Sequence, residues 1–359
     1  MYKVHLHQKQ HLQVSTYIIP FLINDLLDLV PVLRWNTIGM TVAGTSGVVG
    51  NGSNQLYNPW GLALSYENTL YVADRFNHRV QKYLRGSLNG TTVAGQANST
   101  TCSSYQCLRN PASIILDDNE NLFISEESNH RVVLWKKDAT IGELVAGTGT
   151  TSAFHVKIHS THVRLGLGTG SNQFRFPYNI VRDKQSGTLY VCDNGNDRVM
   201  RYAEGNNTGV LVAGGNGRGN NTNQLNYPMG IYFESLSNSL IIANTHANNI
   251  VRWRIDESNW TLIAGNLNAS SGNSPSSLYD PFAFSVDPRG NLYVADRNNH
   301  RIQLFSLGQV EGRTIAGITS VPGSNSTLLR SPYGITLDNQ LNLYVADTGN
   351  NRVQKFLRY

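Results

Sequence analysis

The sequence predicts an all-β fold: a six-bladed β-propeller of four-stranded antiparallel blades, closed by an N-terminal strand that completes the last blade. Three observations predict it. A Leu-Tyr-Val-Ala-Asp-like phrase begins at Leu70, Leu122, Leu189, Leu240, Leu292 and Leu343, at intervals of 52, 67, 51, 52 and 51 residues. A fixed period of that size marks a propeller or a solenoid. Each copy holds four short β-prone runs separated by turn residues, the content of one antiparallel blade. Finally, the Val/Ile-Ala-Gly element that closes a copy also stands before the first one, at residues 42–44, while the last copy stops at Tyr359 without it.

Each repeat opens on Leu/Phe-x-x-Pro, at residues 56–59, 108–111, 174–177, 225–228, 278–281 and 329–332. The first run follows that proline, as in PWGLALS, and Gly61, Gly230 and Gly334 permit the innermost strands to approach the ring axis closely. TLYVAD, HRVQKY and TTVAG supply the second, third and fourth runs of the first copy. An open stack would leave an unpaired edge at each end, so residues 41–44 are expected to become the outer strand of the blade built from residues 332–357.

The turn between the second and third runs reads Asp-x-x-Asn-x-Arg. It sets Asp74 before Arg79, Asp193 before Arg198, Asp296 before Arg301 and Asp347 before Arg352, with Glu126 before Arg131 in the second copy. In the fourth copy the acid becomes Asn244 and the base Asn249, so the two disappear together. That pattern predicts a carboxylate–guanidinium clamp across the turn with Asn as cap, contributing about 0–1 kcal/mol if exposed and more if partly buried and bidentate. His78, His130 and His300 precede the arginines at one equivalent position in three blades, two strands out from the axis. With strands about 4.8 Å apart they are too distant to share a metal ion, and they are assigned to solvated turns. His155, His159 and His162 lie in the insertion of the third interval at a spacing that suits a helix. Their β-branched neighbours Val156, Ile158, Thr161 and Val163 point instead to an exposed binding or variable loop.

The Pro-x-Gly-Ile start, the LYVAD strand and the Asn-x-Arg-Val-Gln strand resemble the NHL-repeat family of six-bladed β-propellers over about residues 41–359. The resemblance implies the fold strongly and the activity weakly, because the family includes protein-binding scaffolds, sensor domains, RNA-binding domains and metal-dependent lyases.

At 359 residues and 40% hydrophobic content the chain can bury a large core, and 33 glycines suit turn-rich β structure. The net charge of +5 is spread around the repeats, which disfavours nucleic acid as a partner. No uncharged apolar run reaches the roughly 18–20 residues of a membrane span. Residues 1–37 form an appendage read as a poor signal, a packed arm or the remnant of an upstream region, because Pro20, Asp25 and Asp28 interrupt its apolar run. Residues 38–359 form the propeller. Cys102 and Cys107 share a loop that suits a local disulfide, and Cys192 replaces a small buried strand residue. With eight Asn-x-Ser/Thr sequons, the cysteine pair points to a secreted or extracellular glycoprotein, the cytoplasm being the alternative.

The inner runs contain no histidine, and their acids Asp117, Asp183, Glu234, Asp287 and Asp338 fall at the end where the next turn begins. The sequence therefore assigns no catalytic residue, no metal ligand and no cofactor, and leans away from an enzyme. Trp60, Tyr178, Met229, Phe282 and Tyr333, each directly after the repeat proline, are the candidate partner-binding residues, an aromatic collar beside loops of variable length, with filling of the interface between blades the equally simple alternative. The expected function is a monomeric, non-catalytic recognition scaffold binding a protein, peptide or glycan through one face. The alternative is a metal-dependent hydrolase or lyase with its site in the central tunnel, RNA binding being less favoured.

Overall fold

The computed structural model describes residues 33–148 and 168–359, with two short strands, Val156–Ile158 and Thr161–Val163, in the stretch between. Nearly all of the N-terminal appendage, His155 and His159 thus lie outside the described residues. His162 falls in the second of the short strands, which pair as a hairpin and not as a helix. Residues Trp35–Tyr359 make one compact unit.

Six four-stranded antiparallel sheets form within it. In the first blade Pro59–Leu64 is innermost, followed outward by Leu70–Asp74, Arg79–Tyr83 and Thr91–Gly95. The next four blades begin on Pro111–Leu116, Pro177–Arg182, Pro228–Glu234 and Pro281–Val286. In the sixth, Ile335–Leu337, Leu343–Asp347 and Arg352–Phe356 are completed by Met40–Gly44, which pairs antiparallel with Arg352–Phe356 in a register that sets Gly44 opposite Arg352. The ring is closed by the N-terminal strand. The closure is reinforced by Trp35, whose Nε1 donates to the Leu341 carbonyl at 2.8 Å and whose ring meets Tyr293 edge-on.

Burial follows from the radial geometry. The second strands are covered on both faces by neighbouring blades, so Leu70–Asp74 is buried throughout, whereas the outer strand Thr91–Gly95 buries only Ala94 fully. The Leu or Phe of each Leu/Phe-x-x-Pro element is the wedge between consecutive blades: Leu56, Leu108, Phe174, Leu225, Leu278 and Leu329 are all fully buried. Close approach at the axis needs glycine. A Cβ on Gly61 would stand 2.8 Å from Ser113 Cα, and one on Gly334 only 1.9 Å from the Trp60 carbonyl oxygen. Cys102 and Cys107 are disulfide-bonded, and Cys192 is a buried free thiol. Among the described residues no helix is long and apolar enough to cross a membrane.

Candidate recognition face

One end of the ring carries both the loops that enter each repeat proline and the turns between second and third strands, because proline and acid are opposite one another, Pro59 across from Asp74 and Pro281 across from Asp296. The acid is fully buried here. Asp74 accepts from Arg79 Nε at 2.8 Å, from Asn77 Nδ2 at 2.8 Å and from the Tyr57 N–H at 2.7 Å. Asp296 has the same three kinds of partner in Arg301, Asn299 and Tyr279. Asp193 with Arg198 at 2.7 Å, Asp347 with Arg352 at 2.8 Å and Glu126 with Arg131 repeat the arrangement. The arginines continue into the loop that precedes their own blade, where Arg79 donates to the carbonyls of Asn51 and Gly52. Both side chains of the Asp74–Arg79 pair are at most 2% exposed, so of the exposed and buried alternatives these are core ion pairs. Burial raises the Asp74 and Asp296 carboxyls against the pull of their hydrogen-bond partners.

The histidines of these turns are half-buried and not solvated. His78 is left-handed at φ 54°, and its Nδ1 accepts the N–H of Asn110, the residue before the next blade's proline, at 3.1 Å. His130 accepts from Phe176 and His300 from Ser331. Asp197, Asn248 and Asn351 do the same through Oδ1 for Tyr227, Asp280 and Asn58, the last across the ring closure. The six recipients are left-handed too, with φ of 56° at Asn58, 50° at Asn110, 55° at Phe176, 53° at Tyr227, 55° at Asp280 and 47° at Ser331. A conformation costing on the order of 1 kcal/mol for a bulky residue is thus held in place by one latch per blade junction.

The residues after the prolines do not stand apart as a collar. Trp60 lies against Tyr333 at 4.8 Å, Phe282 at 5.1 Å and Tyr178 at 5.3 Å between ring centroids, and Phe282 meets Tyr333 at 4.0 Å. The four rings form a plug across the axis, in which Trp60 is buried and Tyr178, Phe282 and Tyr333 remain partly open, while Met229 is buried with its Sδ 3.3 Å from Asn194 Nδ2. The Arg75 guanidinium lies 3.9 Å above the Trp60 ring and pairs with Glu127, which in turn accepts from the Tyr178 hydroxyl at 3.2 Å. Burial, then the nearby Glu127 charge, pushes the Tyr178 phenol above its usual range. Arg297 is placed 5.0 Å above Tyr333 and 3.0 Å from Asp280.

The opposite mouth differs. A cavity of 840 Å³ opens there beside Glu67, Asp117, Asp118 and Asp338. Three of the inner-strand acids are turn formers: Asp117, Asp287 and Asp338 each accept from the backbone N–H two and four residues ahead. Among the described residues no group of three His, Cys, Asp or Glu side chains gathers as a metal site.

The family model for the NHL repeat matches residues 56–83, 278–305 and 329–356. The chain is a six-bladed β-propeller with NHL repeats at those positions. It is 24% identical over 290 residues to human NHL repeat-containing protein 2, an alignment covering 70% of this chain and 39% of that relative, so the chain spans about two fifths of the relative's length. The fold also matches a Bacteroides thetaiotaomicron structural genomics protein of unknown function, with a TM-score of 0.67, 15% identity and coverage of 90% of this chain and 76% of that one. A Xanthomonas campestris gluconolactonase matches with a TM-score of 0.59, 13% identity and coverage of 89% and 97%.

Sequence reasoning missed two rings of this propeller's face. One is the residue after each clamp acid, Arg75, Glu127, Asn194, Thr245, Arg297 and Thr348, which borders the plug. The polar ones tie neighbouring blades: Thr245 donates to the Pro281 carbonyl at 2.8 Å and Thr348 to that of Pro59 at 2.6 Å. The other is the first variable position of Leu/Phe-x-x-Pro, occupied by Tyr57, Arg109, Arg175, Asn226, Tyr279 and Arg330. Its backbone N–H supports the clamp acid while its side chain is left to the surface. The signal was in the motif, at the two letters its definition leaves free.

Proposed function

We propose that this propeller is a recognition scaffold that binds a protein, peptide or glycan through the face bearing the proline loops. The carrying observation is the plug: Tyr178, Phe282 and Tyr333 keep partly open rings at the centre of that face, packed on Trp60 and flanked by Arg75 and Arg297. Aromatic and arginine side chains fixed at the centre of a surface are the composition of binding hot spots. The rigid clamps and latches beneath supply pre-organisation, and the loops around them vary without disturbing the core. A tunnel enzyme is the competing function, since a gluconolactonase shares the fold. Here the plug closes the axis at one mouth, and at the other Asp117 and Asp338 are engaged by their own turns.

The test is a binding screen of the purified chain against arrays of extracellular proteins and glycans, followed by the Tyr178→Ala, Phe282→Ala and Tyr333→Ala triple variant. A partner whose affinity falls by about 2 kcal/mol or more in the folded variant supports the scaffold. Unchanged affinity removes the plug from recognition, and lactone hydrolysis abolished by a chelator overturns the scaffold altogether.

A further inference from the structure

The recognition face is electrically lopsided. Outside the clamps it presents Arg75, Arg218 and Arg297, which pair with Glu127, Asp197 and Asp280, and it also presents Arg109, Arg175 and Arg330, which are exposed and have no carboxylate partner among the described residues. All three unpaired arginines sit at the same motif position, two residues before the proline, in the loops entering the second, third and sixth blades. In the first blade, between the sixth and the second, that position is Tyr57, whose ring packs edge-on against Phe76 at 5.0 Å; both are more than a third exposed. Phe176, beside Arg175, is 36% exposed. Four of the six blades therefore present arginine, an aromatic pair, arginine, and arginine with an aromatic neighbour, in that order. The other two blades are neutralised: Tyr227 is covered by Arg218, itself paired, and Asp280 answers Arg297.

These arginines are seated and not loose. The stem of Arg175 lies over Gly195 and that of Arg330 over Gly349, so close that a Cβ would come within 2.5 and 2.6 Å of the two Cγ atoms. Their backbone N–H groups are tied to Asp193 and Asp347 at 2.6 and 2.7 Å, which fixes where each side chain leaves the surface. Uncompensated charge is also felt locally: after burial, Arg109 and Arg330 are the next causes that hold His78 and His300 below the usual imidazole range.

We infer that this arc, over the sixth, first, second and third blades, binds an acidic peptide segment carrying an aromatic or apolar residue; the inference rests on the recognition function proposed above and names the chemical class of its partner. Planar guanidinium forks match carboxylates in bidentate geometry, and a one-sided positive arc orients an acidic chain across the face. Three unpaired charges suit a short acidic segment. A polyphosphate backbone calls for more cationic contacts than this, roughly six to ten in well-studied protein–DNA complexes.

The experiment pans a random 12-residue phage-displayed peptide library on the whole chain and on the Arg109→Gln, Arg175→Gln, Arg330→Gln triple variant, after equal melting temperatures have shown both to be folded. A labelled 20-residue oligouridylate is titrated in parallel. Net-acidic enriched peptides whose synthetic versions bind the variant at least tenfold more weakly support the inference. Neutral or basic enriched peptides overturn it and leave the scaffold standing. No enrichment over an albumin control removes both. Oligouridylate that binds more tightly than any enriched peptide, and is weakened in the same variant, overturns it in favour of nucleic acid.

Discussion

At the scale of single residues, the half-buried histidines show how one polar atom is used architecturally. A latch at His78 or His300 works only while Nδ1 has its lone pair, that is, while the imidazole is neutral. Burial lowers the pKa of both, and the positive neighbours lower it further: Arg109 and Arg75 at His78, Arg330 and Arg297 at His300. The unfolded chain, titrating near 6.5, then takes up protons before the native one. The stability these sites contribute is complete above about pH 6.5 and declines as pH falls below it. Asn248 and Asn351 fill the same role without titrating, in the same left-handed backbone. The His78→Asn, His300→Asn variant is therefore expected to match wild type at pH 8 and to exceed it increasingly toward pH 5.5. Urea unfolding midpoints across that range check it; a gap that does not change with pH would mean that these imidazoles do not titrate against folding.

At the scale of the element, the turn between second and third strands is one polar assembly: acid, Asn, Arg and the loop carbonyls that the Arg reaches. In the fifth blade Arg301 donates to Asp296, to the carbonyls of Asn273, Ser274 and Ser277 and to the Thr319 hydroxyl, binding the turn to two loops. Removing one buried partner strands the other's charge, which costs about 3–5 kcal/mol, whereas removing both is much less costly. The fourth blade is the natural double replacement. Asn244 retains the bond from the Asn226 N–H at 2.6 Å, and Asn249 still donates to the Asn266 carbonyl at 3.2 Å. Asp296→Asn and Arg301→Asn are each expected to cost several kcal/mol and the double variant clearly less than their sum, with a coupling energy of roughly 1–3 kcal/mol in a double-mutant cycle. Additive effects would show that the pair is not a unit.

At the scale of the whole molecule, what was legible in the sequence is what repeats. Leu/Phe-x-x-Pro, LYVAD-like runs and Asn-x-Arg mark wedges, strands and clamps because each is a local requirement restated around the ring, the first two in all six copies and the third in five. The plug was legible as a set of large residues but not as a contact, because Trp60 meets Tyr178 and Phe282 from blades two positions away on either side, a consequence of ring radius. The charged arc was hidden for the same reason: Arg109, Arg175 and Arg330 are scattered in the chain and share a face only when Met40–Gly44 closes the circle. That closure carries the last prediction. The final strand of the sixth blade would be an unpaired edge without Met40–Gly44, and Ala43, packed with Leu56 and Val353, would leave the junction of the sixth and first blades open. Trp35 adds a second fastening, bonded to Leu341 and packed on Tyr293 beneath the fifth and sixth blades. Removal of residues 1–37 is therefore expected to lower the melting temperature, the loss of the buried Trp35 costing about 3–5 kcal/mol of stability, and removal of 1–46 to lower it further. Equal melting temperatures for the 1–37 and 1–46 truncations would place the closing energy in Trp35 and not in the strand.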